Sequence, residues 1–391
     1  MYDTAIVGGG AAGLCAAIFA ARRGKQVLLL ERLPRVGKKL LSTGNGRCNI
    51  SNRQIALRRY HGKSVSFATY ALEAFSVSDT IRFFESIGLP VMEGENGKLY
   101  PQSLQSNAVL DLMRLELQRL SVVEHTNSFI TGIVSTKNGF SLSTEDGKTY
   151  SAKTVIVATG GKAAPSMGTD GQGYTLLTAL GHSIVPPIPS LVQVKTTPSM
   201  HALKGTKHVG TASVYAGDKL IRQESGEILF TDYGLSGPPI FNLSRIVSAH
   251  ASARQNVTIS INFFPGMDKA SISELLNNRR KACPHLTGEC FLYGLLPKNI
   301  AREIIKRATN NDTLVQLLFD FRLSASGVMP WANAQVTAGG ICTDEVCPET
   351  MESYFVPGLY LCGEVLDIDG DCGGFNLQWA WSSAYVAAAN I

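Results

Sequence analysis

The stretch YDTAIVGGGAAGLCAAIFAARRGKQVLLLE, residues 2–31, decides the fold. It opens with a short apolar run. Glycines in the spacing G-x-G-x-x-G then lead into an alanine-rich segment that predicts a helix ending at a glycine. A second apolar run follows and closes on an acid. The predicted order is strand, tight turn, helix, strand and acid, over Tyr2–Val7, Gly8–Gly10, Ala11–Arg23, Gln26–Leu30 and Glu31. This order is typical of a Rossmann-type dinucleotide site.

Each part of this stretch has its own physical task. Gly8 permits the turn, Gly10 lets the backbone approach a pyrophosphate, and Gly13 lets the helix pack closely on the sheet. The helix start at Ala11-Ala12 offers N–H donors and the positive end of the helix dipole to phosphates. Glu31 can accept hydrogen bonds from a ribose diol, which favours FAD or NAD over NADP. The alternative is a glycine-rich loop in an ordinary α/β domain; the full combination favours the dinucleotide site.

Length and composition narrow the class of protein. A chain of 391 residues predicts two or three domains, and 45% hydrophobic with 17% charged residues predicts a globular chain with a large core. No apolar run reaches transmembrane length, and the first strand begins at the N-terminus, so we expect a cytoplasmic protein without a membrane partner. The eight cysteines include no C-x-x-C pair, which predicts reduced thiols and no metal site. A net charge of +5 permits a polyanionic partner without requiring one.

The segment after the acid suits a loop that wraps a ligand. Residues 32–52 are rich in Gly, Asn, Ser and Thr, whose amides and backbone N–H groups can surround a cofactor. Its basic side chains could face phosphates or a flavin carbonyl; the alternative is a solvated loop. The predicted contacts here are Arg32, Lys38, Lys39, Gly44, Asn45, Gly46, Arg47 and Cys48.

Two later segments supply a second half to the same site. A buried strand runs from Thr154 into Ala158-Thr159-Gly160-Gly161, where small residues let the backbone pass close to a cofactor. Near the C-terminus a strand, a Gly-acid turn and a Gly-Gly helix start follow one another, as the ribityl chain and ring of a flavin require. The ligand long enough to use both halves is FAD. The predicted contacts near the C-terminus are Gly363, Glu364, Asp367, Gly373, Gly374, Asn376, Leu377 and Gln378.

Composition shifts divide the chain. Three prolines within residues 186–189 suit a stiff exit from the first domain. Short strand patterns follow and then helical ones, before the chain returns to nucleotide-domain features. We therefore predict an α/β protein. Its Rossmann-type FAD-binding domain, of the two-dinucleotide-binding flavoprotein type, is split between 1–187 and 333–391. It carries an inserted antiparallel β-barrel domain at 188–267 and a small helical bundle domain at 268–332.

Long runs of this chain resemble the HI0933-like flavoprotein family, also described as BaiN-like or aminoacetone-oxidase-like FAD proteins. The resemblance extends over nearly the whole chain and is carried by IVGGGAAGLCAA, GKKLLSTGNGRCNISN, VIVATGG, GEILFTDYGLSGPPIFNLS, QVTAGGI and LYLCGEVLDIDGDCGGFNLQWAWSSAYVA. It implies a split FAD domain with an inserted barrel and a small helical domain. Members of the family are assigned to steroid enone reduction, aminoacetone oxidation and dihydrouridine formation in ribosomal RNA. All of these are flavin redox reactions, and the fold does not choose among them.

The candidate chemistry follows from the flavin, which carries the hydride. The chain has one full G-x-G-x-x-G, so we expect NAD(P)H to bind transiently at the flavin face, in turn with the substrate. Asn45, Arg47 and Cys48 are the predicted active-site residues. Cys48 could act as general acid for an enone or a pyrimidine C5–C6 bond, since both need a proton opposite the hydride. The alternative for Cys48 is a small buried thiol.

The sequence is compatible with three functions. The first is a C=C reductase driven by NAD(P)H, acting on a small-molecule enone or on a uridine in ribosomal RNA. The second is an oxidase of a small amine that passes electrons to O₂. The third is a non-catalytic flavin-containing RNA-binding protein. RNA would be favoured by the basic residues Lys195, Lys204, Lys207, Arg222, Arg279, Arg280, Lys281, Arg302, Lys306 and Arg307; a solvated face is the alternative.

Overall fold

A computed structural model describes all residues, 1–391. The chain forms two compact units, one of Met1–Pro187 with Val336–Ile391 and one of Ile188–Gln335. Each unit has its own hydrophobic core. No helix combines the length and the apolar character needed to cross a membrane.

A seven-stranded sheet forms the centre of the first unit. The first strand is parallel to both of its neighbours, with Ala5 opposite Leu28 on one side and Val155 on the other. The long strand Thr149–Val157 serves two partners: its first half pairs antiparallel with Gly139–Thr144 and its second half parallel with Leu359–Leu361. The sheet order is Val123–His125, Val27–Leu30, Tyr2–Val7, Thr149–Val157, Gly139–Thr144 and Ile130–Thr136, with Leu359–Leu361 beside Thr149–Val157.

Two buried helices from opposite ends of the sequence pack together in this unit. Ala11–Arg22 and Phe375–Ala389 are apolar on nearly every face, as expected of helices enclosed by a core. Trp379 and Trp381 lie in that core, and their Nε1–H groups donate to the carbonyls of Gly363 (3.1 Å) and Ile50 (2.9 Å). The unit's other helices are Lys38–Ser42, Ala68–Ala74, Val77–Ser86, Ser106–Arg119 and Gln172–Ala179.

Three small sheets complete the first unit. Ser51–Asn52, Lys98–Pro101 and Val91–Glu93 form the first of them. The second pairs Tyr60–His61 with Asp369–Gly370, and the third pairs Ile184–Ser190 with Val336–Ile341. These short pairings attach segments from distant parts of the sequence to the ends of the strands and helices that surround the candidate site.

The second unit is built on a closed antiparallel barrel. The barrel order is Val194–Thr197, Gly234–Ser236, Lys219–Phe230, Lys207–Ala216, Val257–Asn262 and Phe321–Val328. Four helices accompany it: Pro238–Ser252, Lys269–Ala282, Lys298–Arg307 and Asn311–Phe319. The antiparallel barrel expected from the sequence is confirmed, as is the Rossmann-type domain of the first unit.

One barrel strand lies inside the segment predicted to be helical. In Phe321–Val328, Phe321 and Leu323 are buried and Arg322 and Ser324 are exposed, the period of two that a barrel strand requires. Side chains of the helices, among them Ile272 and Ile304, share one core with those of the barrel. The division of this region into a barrel domain and a separate helical domain therefore stays a prediction.

Candidate functional site

The glycine turn after the first strand is shaped by close backbone contacts. Gly8 has φ +106°, and a Cβ there would lie 2.5 Å from the carbonyl oxygen of Ala158. A Cβ at Gly13 would lie 1.8 Å from the carbonyl oxygen of Gly8, so helix and strand pack too closely for any side chain. A Cβ at Gly10 would meet nothing within 4 Å. The turn is thus closed against the sheet and open at the helix start.

That open helix start can bind an anion. The helix has no side-chain N-cap, and the N–H groups of its first turn have no intrahelical acceptor. Ala11, Ala12 and Gly13 therefore offer donors at the positive end of the helix dipole. An anionic group such as a pyrophosphate fits this arrangement.

Glu31 lies at the end of the second strand, beside the turn. Its Oε2 accepts from the N–H of Gly9 and its Oε1 from the N–H of Leu33, both at 2.8 Å. Burial raises the pKa of the carboxyl, while the two N–H donors act in the opposite direction. Each oxygen keeps acceptor capacity for a ribose hydroxyl. The guanidinium of the adjacent Arg32 forms an ion pair with Asp170 at 2.7 Å and so links this part of the site to the segment around residue 170.

Lys39 and Glu364, predicted as separate cofactor contacts, bind each other. Lys39 Nζ lies 2.8 Å from Glu364 Oε2, with about four-fifths of each side chain buried. The other oxygen, Glu364 Oε1, accepts from the N–H of Thr337 at 2.9 Å. Lys38 Nζ donates to the carbonyl of Ser166 at 2.7 Å. Lys38 and Lys39 therefore connect this loop to other segments of the candidate site. Of the two, only Lys39 bonds another residue that was predicted to contact the cofactor, namely Glu364.

The middle segment, residues 158–161, lies between these groups. A Cβ at Gly161 would lie 2.9 Å from Glu364 Oε1, and a Cβ at Gly363 would lie 2.8 Å from the Cβ of Ala12. The structure thus brings Gly160-Gly161, the first helix and the C-terminal Gly-acid turn together. The hydroxyl of Thr159 is buried without a hydrogen-bond partner in the protein, as expected where a polar ligand belongs.

The loop of residues 44–46, whose backbone is in the left-handed region, forms another side of the candidate site. Gly44, Asn45 and Gly46 have φ of 58°, 56° and 81°, and Asn45 and Arg47 are exposed. The Tyr100 ring lies under this loop, because a Cβ at Gly44 would lie 3.6 Å from its Cε1. Burial raises the pKa of Tyr100, and the nearby charge of Arg47 opposes that rise. Asn45 and Arg47 are therefore available to a ligand.

The same loop leads to the N-terminus of the last helix. Asn52 Nδ2 donates to the carbonyl of Gly373 at 2.8 Å, and a Cβ at Gly374 would lie 2.9 Å from Asn49 Oδ1. Asn49 Oδ1 is buried without a partner in the protein. The helix begins after Gly374 without a side-chain cap, so the first-turn N–H groups, including that of Leu377, lack intrahelical acceptors. This is a second N-terminus that can face an electron-rich ligand.

Three residues near this helix that were predicted to contact the cofactor form hydrogen bonds with other groups of the protein. Asn376 bonds the N–H and carbonyl of Gly370, both at 2.8 Å, and fixes the loop before the helix. Asp367 Oδ2 accepts from the N–H of Lys63 at 2.8 Å. Gln378 is fully buried: its amide accepts from Ser51 (2.6 Å) and Thr80 (3.1 Å) and donates to Phe75 O (3.0 Å) and Ser382 Oγ (2.9 Å). Gln378 therefore supports the site from the core.

The parts of this cradle fit a long dinucleotide with phosphates at one end and an electron-rich ring at the other. Comparison with known proteins decides the family. Residues 2–390 match the model of the HI0933-like protein Rossmann domain.

The chain belongs to the HI0933-like family.

Curated members of the HI0933-like family match over their full length. A 3-dehydro-bile acid delta(4,6)-reductase of Clostridium scindens is 36% identical over 99% of this chain and 98% of the relative. A ribosomal RNA dihydrouridine synthase of Escherichia coli is 30% identical over 100% of this chain and 98% of the relative. Among solved structures, a 3-ketosteroid delta1-dehydrogenase from Sterolibacterium denitrificans aligns with TM-score 0.52 over 99% of this chain and 98% of its own, at 12% identity, and shows the fold alone.

The protein is therefore a flavin-dependent oxidoreductase of the HI0933-like family with FAD as cofactor. The residues present fit FAD: an uncapped helix start at each end of the cradle, an acid at the ribose position, and two buried side-chain polar atoms without protein partners, Thr159 Oγ1 and Asn49 Oδ1. A non-catalytic role, the third of the functions left open, is thereby set aside. No group of three or more His, Cys, Asp or Glu side chains is arranged to hold a metal ion.

Cys48 is in the core of this HI0933-like protein. It has 0% exposure, and burial raises the pKa of its thiol to about 12. A group without solvent or ligand access cannot reach a substrate carbon. The buried thiol, which was the alternative interpretation of Cys48, describes it better than the general acid.

A polar cluster that the sequence did not predict lies beside the last glycine turn. His61 Nε2 lies 2.8 Å from Asp371 Oδ1, and Arg59 Nη1 lies 3.3 Å from Asp371 Oδ2. Asp371 is 2% exposed. The available signal was weak, because Tyr60–His61 is a strand of two residues whose partner Asp369–Gly370 lies about 310 positions away. The acids of the D-I-D-G-D run were the one local hint.

Most of the basic residues that would favour RNA already bond groups of the protein. Lys204, Lys207, Arg222, Arg302 and Arg307 form ion pairs with Asp232, Glu227, Glu224, Glu289 and Glu303. Arg279 donates to two backbone carbonyls, and Arg280 donates to the side chain of Asn311. Seven of the ten basic residues that favoured RNA thus already bond protein groups, five of them acids.

Proposed function

We propose that this protein is an NAD(P)H-driven reductase of a C=C bond conjugated to a carbonyl, with a steroid-type enone as substrate. The observation that carries the proposal is the full-length, 36% identical relative named as a 3-dehydro-bile acid delta(4,6)-reductase. The cradle supports it, since its two uncapped helix starts suit the charged and electron-rich parts of FAD.

FAD, when bound, supplies the hydride chemistry by accepting a hydride from a nicotinamide and passing it to a carbon. In our proposal the N–H groups of Ala11, Ala12 and Gly13 bind the pyrophosphate and Glu31 accepts from the ribose. The first-turn N–H groups after Gly374 would bind the electron-rich ring system, because the helix dipole is positive there and favours negative charge. Glu364, oriented by Lys39 and Thr337, accepts from the ribityl hydroxyls.

The nicotinamide donor visits the site without a domain of its own. The chain has one full G-x-G-x-x-G, and its glycines are used by the FAD cradle. Donor and substrate therefore use the same flavin face in turn. Asn45 and Arg47, exposed on the left-handed loop, are the residues we assign to that face.

A uridine in ribosomal RNA is the second candidate substrate. The observation that favours it is the 30% identical, full-length relative named as a ribosomal RNA dihydrouridine synthase. A uridine C5–C6 bond is also conjugated to a carbonyl, so the same chemistry applies. We rank it second because polyphosphate binding relies on cations that are free to meet phosphates, and seven of the ten basic residues that favoured RNA already bond protein groups.

The test is to find which reductant bleaches the bound flavin and which acceptor restores its colour. Purified holoprotein is mixed anaerobically with NADH or NADPH and then with a steroid enone, with a uridine-containing ribosomal RNA fragment, or with buffer alone. We expect the enone to restore the colour, with one enone molecule reduced per flavin. Reoxidation by the RNA fragment alone would transfer the proposal to RNA. Fast peroxide release in air with aminoacetone as reductant would replace it with the amine oxidase.

A further inference from the structure

The polar cluster of Arg59, His61 and Asp371 has a buried carboxylate at its centre. The Asp371 carboxylate is 2% exposed, and each of its oxygens faces a different basic side chain, His61 at 2.8 Å and Arg59 at 3.3 Å. His61 keeps 23% of its side chain exposed. A histidine held through one nitrogen by a buried carboxylate, with its ring partly open to solvent, has the form of a proton-transfer group.

The backbone holds this cluster rigidly. His61 pairs with Asp369, and the N–H of Asp371 donates to the carbonyl of Arg59 at 2.9 Å. The N–H of Lys63 then donates to Asp367 Oδ2 at 2.8 Å. The segment 59–63 is thus bonded along its length to the segment 367–371, which fixes the backbone of His61 beside Asp371, and the 2.8 Å contact with Asp371 Oδ1 orients the imidazole ring.

The cluster is adjacent to the flavin end of the cradle. Gly374 lies three positions after Asp371, so chain connectivity alone keeps their Cα atoms within about 11 Å. Gly374 begins the helix assigned above to the flavin ring. Arg59 lies over the ring of Phe375, the first residue of that helix, at 5.7 Å.

We propose that His61, oriented by Asp371, is the proton donor that completes C=C reduction at the flavin. This inference rests on the proposed function. The β-carbon of the enone accepts a hydride from the reduced flavin, the C=C π bond breaks, and its electrons move toward the carbonyl. The α-carbon then takes a proton from the protonated His61. The flavin ends oxidised, the substrate saturated and His61 neutral, and water reprotonates His61.

Cys48 does not compete for this role, since it is fully buried. Tyr100 and Cys372 do compete, because Tyr100 lies near both Arg47 and Cys372, and Cys372 precedes the helix start at Gly374. The matched pair Tyr100→Phe and Cys372→Ser therefore belongs in the same experiment. The variants can identify the donor among the three side chains, because loss of the proton donor should slow reoxidation by the enone and leave flavin reduction by NAD(P)H unchanged.

The experiment compares His61→Gln with a control, His208→Gln, in holoprotein. His208 also bonds an oxygen acceptor through Nε2 at 2.8 Å and is half-buried, but it lies in the barrel. For His61→Gln we expect normal flavin content, unchanged bleaching by NAD(P)H, and unchanged reoxidation by ferricyanide, which needs no proton at carbon. Reoxidation by the enone should fall about 100-fold. His208→Gln should match wild type throughout.

Chemical labelling gives a readout independent of turnover. We expect diethyl pyrocarbonate to modify His61 in the holoprotein, an enone to protect it, and fully buried His182 to stay unmodified. Equal enone reoxidation by wild type and His61→Gln would overturn the inference, as would the same 100-fold loss confined to Tyr100→Phe or Cys372→Ser. A His61→Gln defect shared by ferricyanide would show a merely structural role. If wild type itself fails with every enone, the proposed function is wrong and the inference falls with it.

Discussion

Two histidines of the FAD-binding unit each face a carboxylate, and the two pairs are buried in opposite senses. In the first pair His61 has 23% of its side chain exposed and Asp371 has 2%. In the second His182 has 0% exposed and Glu345, 3.2 Å from its Nδ1, has 16%. An exposed imidazole on a buried acid can exchange protons with a ligand, whereas a buried imidazole on an exposed acid cannot.

The second pair has a third member that makes the difference instructive. His182 Nε2 lies 2.9 Å from Ser353 Oγ, which completes the residue types of a Ser-His-Glu triad. However, Ser353 Oγ also accepts from the N–H groups of Phe355 and Val356, both at 3.1 Å. Its lone pairs are engaged, and the residue is 5% exposed. We interpret this arrangement as a polar crosslink between Gly181–Ser183 and the segment 345–356. Residue types and distances alone therefore do not identify a catalytic site.

The largest loss of stability is expected when His182 is removed. His182→Ala removes the side-chain partner of the buried Ser353 hydroxyl and one of the hydrogen-bond partners of Glu345, and a buried polar group that loses its partner costs about 1–3 kcal/mol. We expect the free energy of unfolding, measured by urea titration of the holoprotein, to fall by that amount. Enone reduction at a temperature where the variant is folded should stay at the wild-type rate.

The opposite pattern is expected for His61→Gln, which should lose enone reduction and retain most of its stability. A His182→Ala protein that is fully stable, or that is folded but inactive with the enone, would contradict this contrast.

Local patterns in the sequence predicted the first strand, the glycine turn and the first helix of the FAD-binding domain. The glycine turn, the helix after it and Glu31 are set by steric and hydrogen-bonding demands within about thirty residues, and the helix predicted as 11–23 is present as Ala11–Arg22. The barrel was also predictable, because alternation with a period of two is local. Phe321–Val328 was assigned to the helical region since its strand pattern follows three amphipathic helices directly.

The contacts that the sequence could not predict join distant segments. His61 and Asp371 are 310 residues apart, and the short strands that align them carry no periodic signal. Lys39 and Glu364 were each predicted to face the cofactor, whereas their mutual ion pair spans 325 residues. Gln378 was assigned to the cofactor by its motif, yet it bonds Ser51, Thr80 and Phe75, which three different elements bring to it.

The pH dependence of stability should separate the buried pair from the rest of the protein. Burial lowers the pKa of His182 below its ordinary value of 6.5, although Glu345 opposes the shift. Below pH 6.5 the unfolded chain therefore binds a proton that the folded chain does not, and stability falls as the pH falls, by up to about 1.4 kcal/mol per pH unit. Above that pH the contribution of His182 is constant.

The measurement is the difference in unfolding free energy between wild type and His182→Gln, followed downward from neutral pH. Glutamine does not titrate, so the difference should shrink below pH 6.5. Two parallel curves would show that His182 titrates alike in both states and that its burial has no electrostatic consequence.

The last prediction is that Ser353 does not react as a nucleophile, which directly tests its interpretation as part of a polar crosslink. A fluorophosphonate probe labels serines whose hydroxyl is activated and accessible. Ser353 should form no adduct in peptide mass spectrometry, because two backbone N–H groups occupy its oxygen, and a serine hydrolase in the same reaction serves as positive control. Ser353→Ala should cost about 1 kcal/mol of stability without changing flavin reduction. An adduct on Ser353 that disappears in His182→Gln would break the comparison, since the buried pair would then activate a nucleophile and the chain would hold a second catalytic centre.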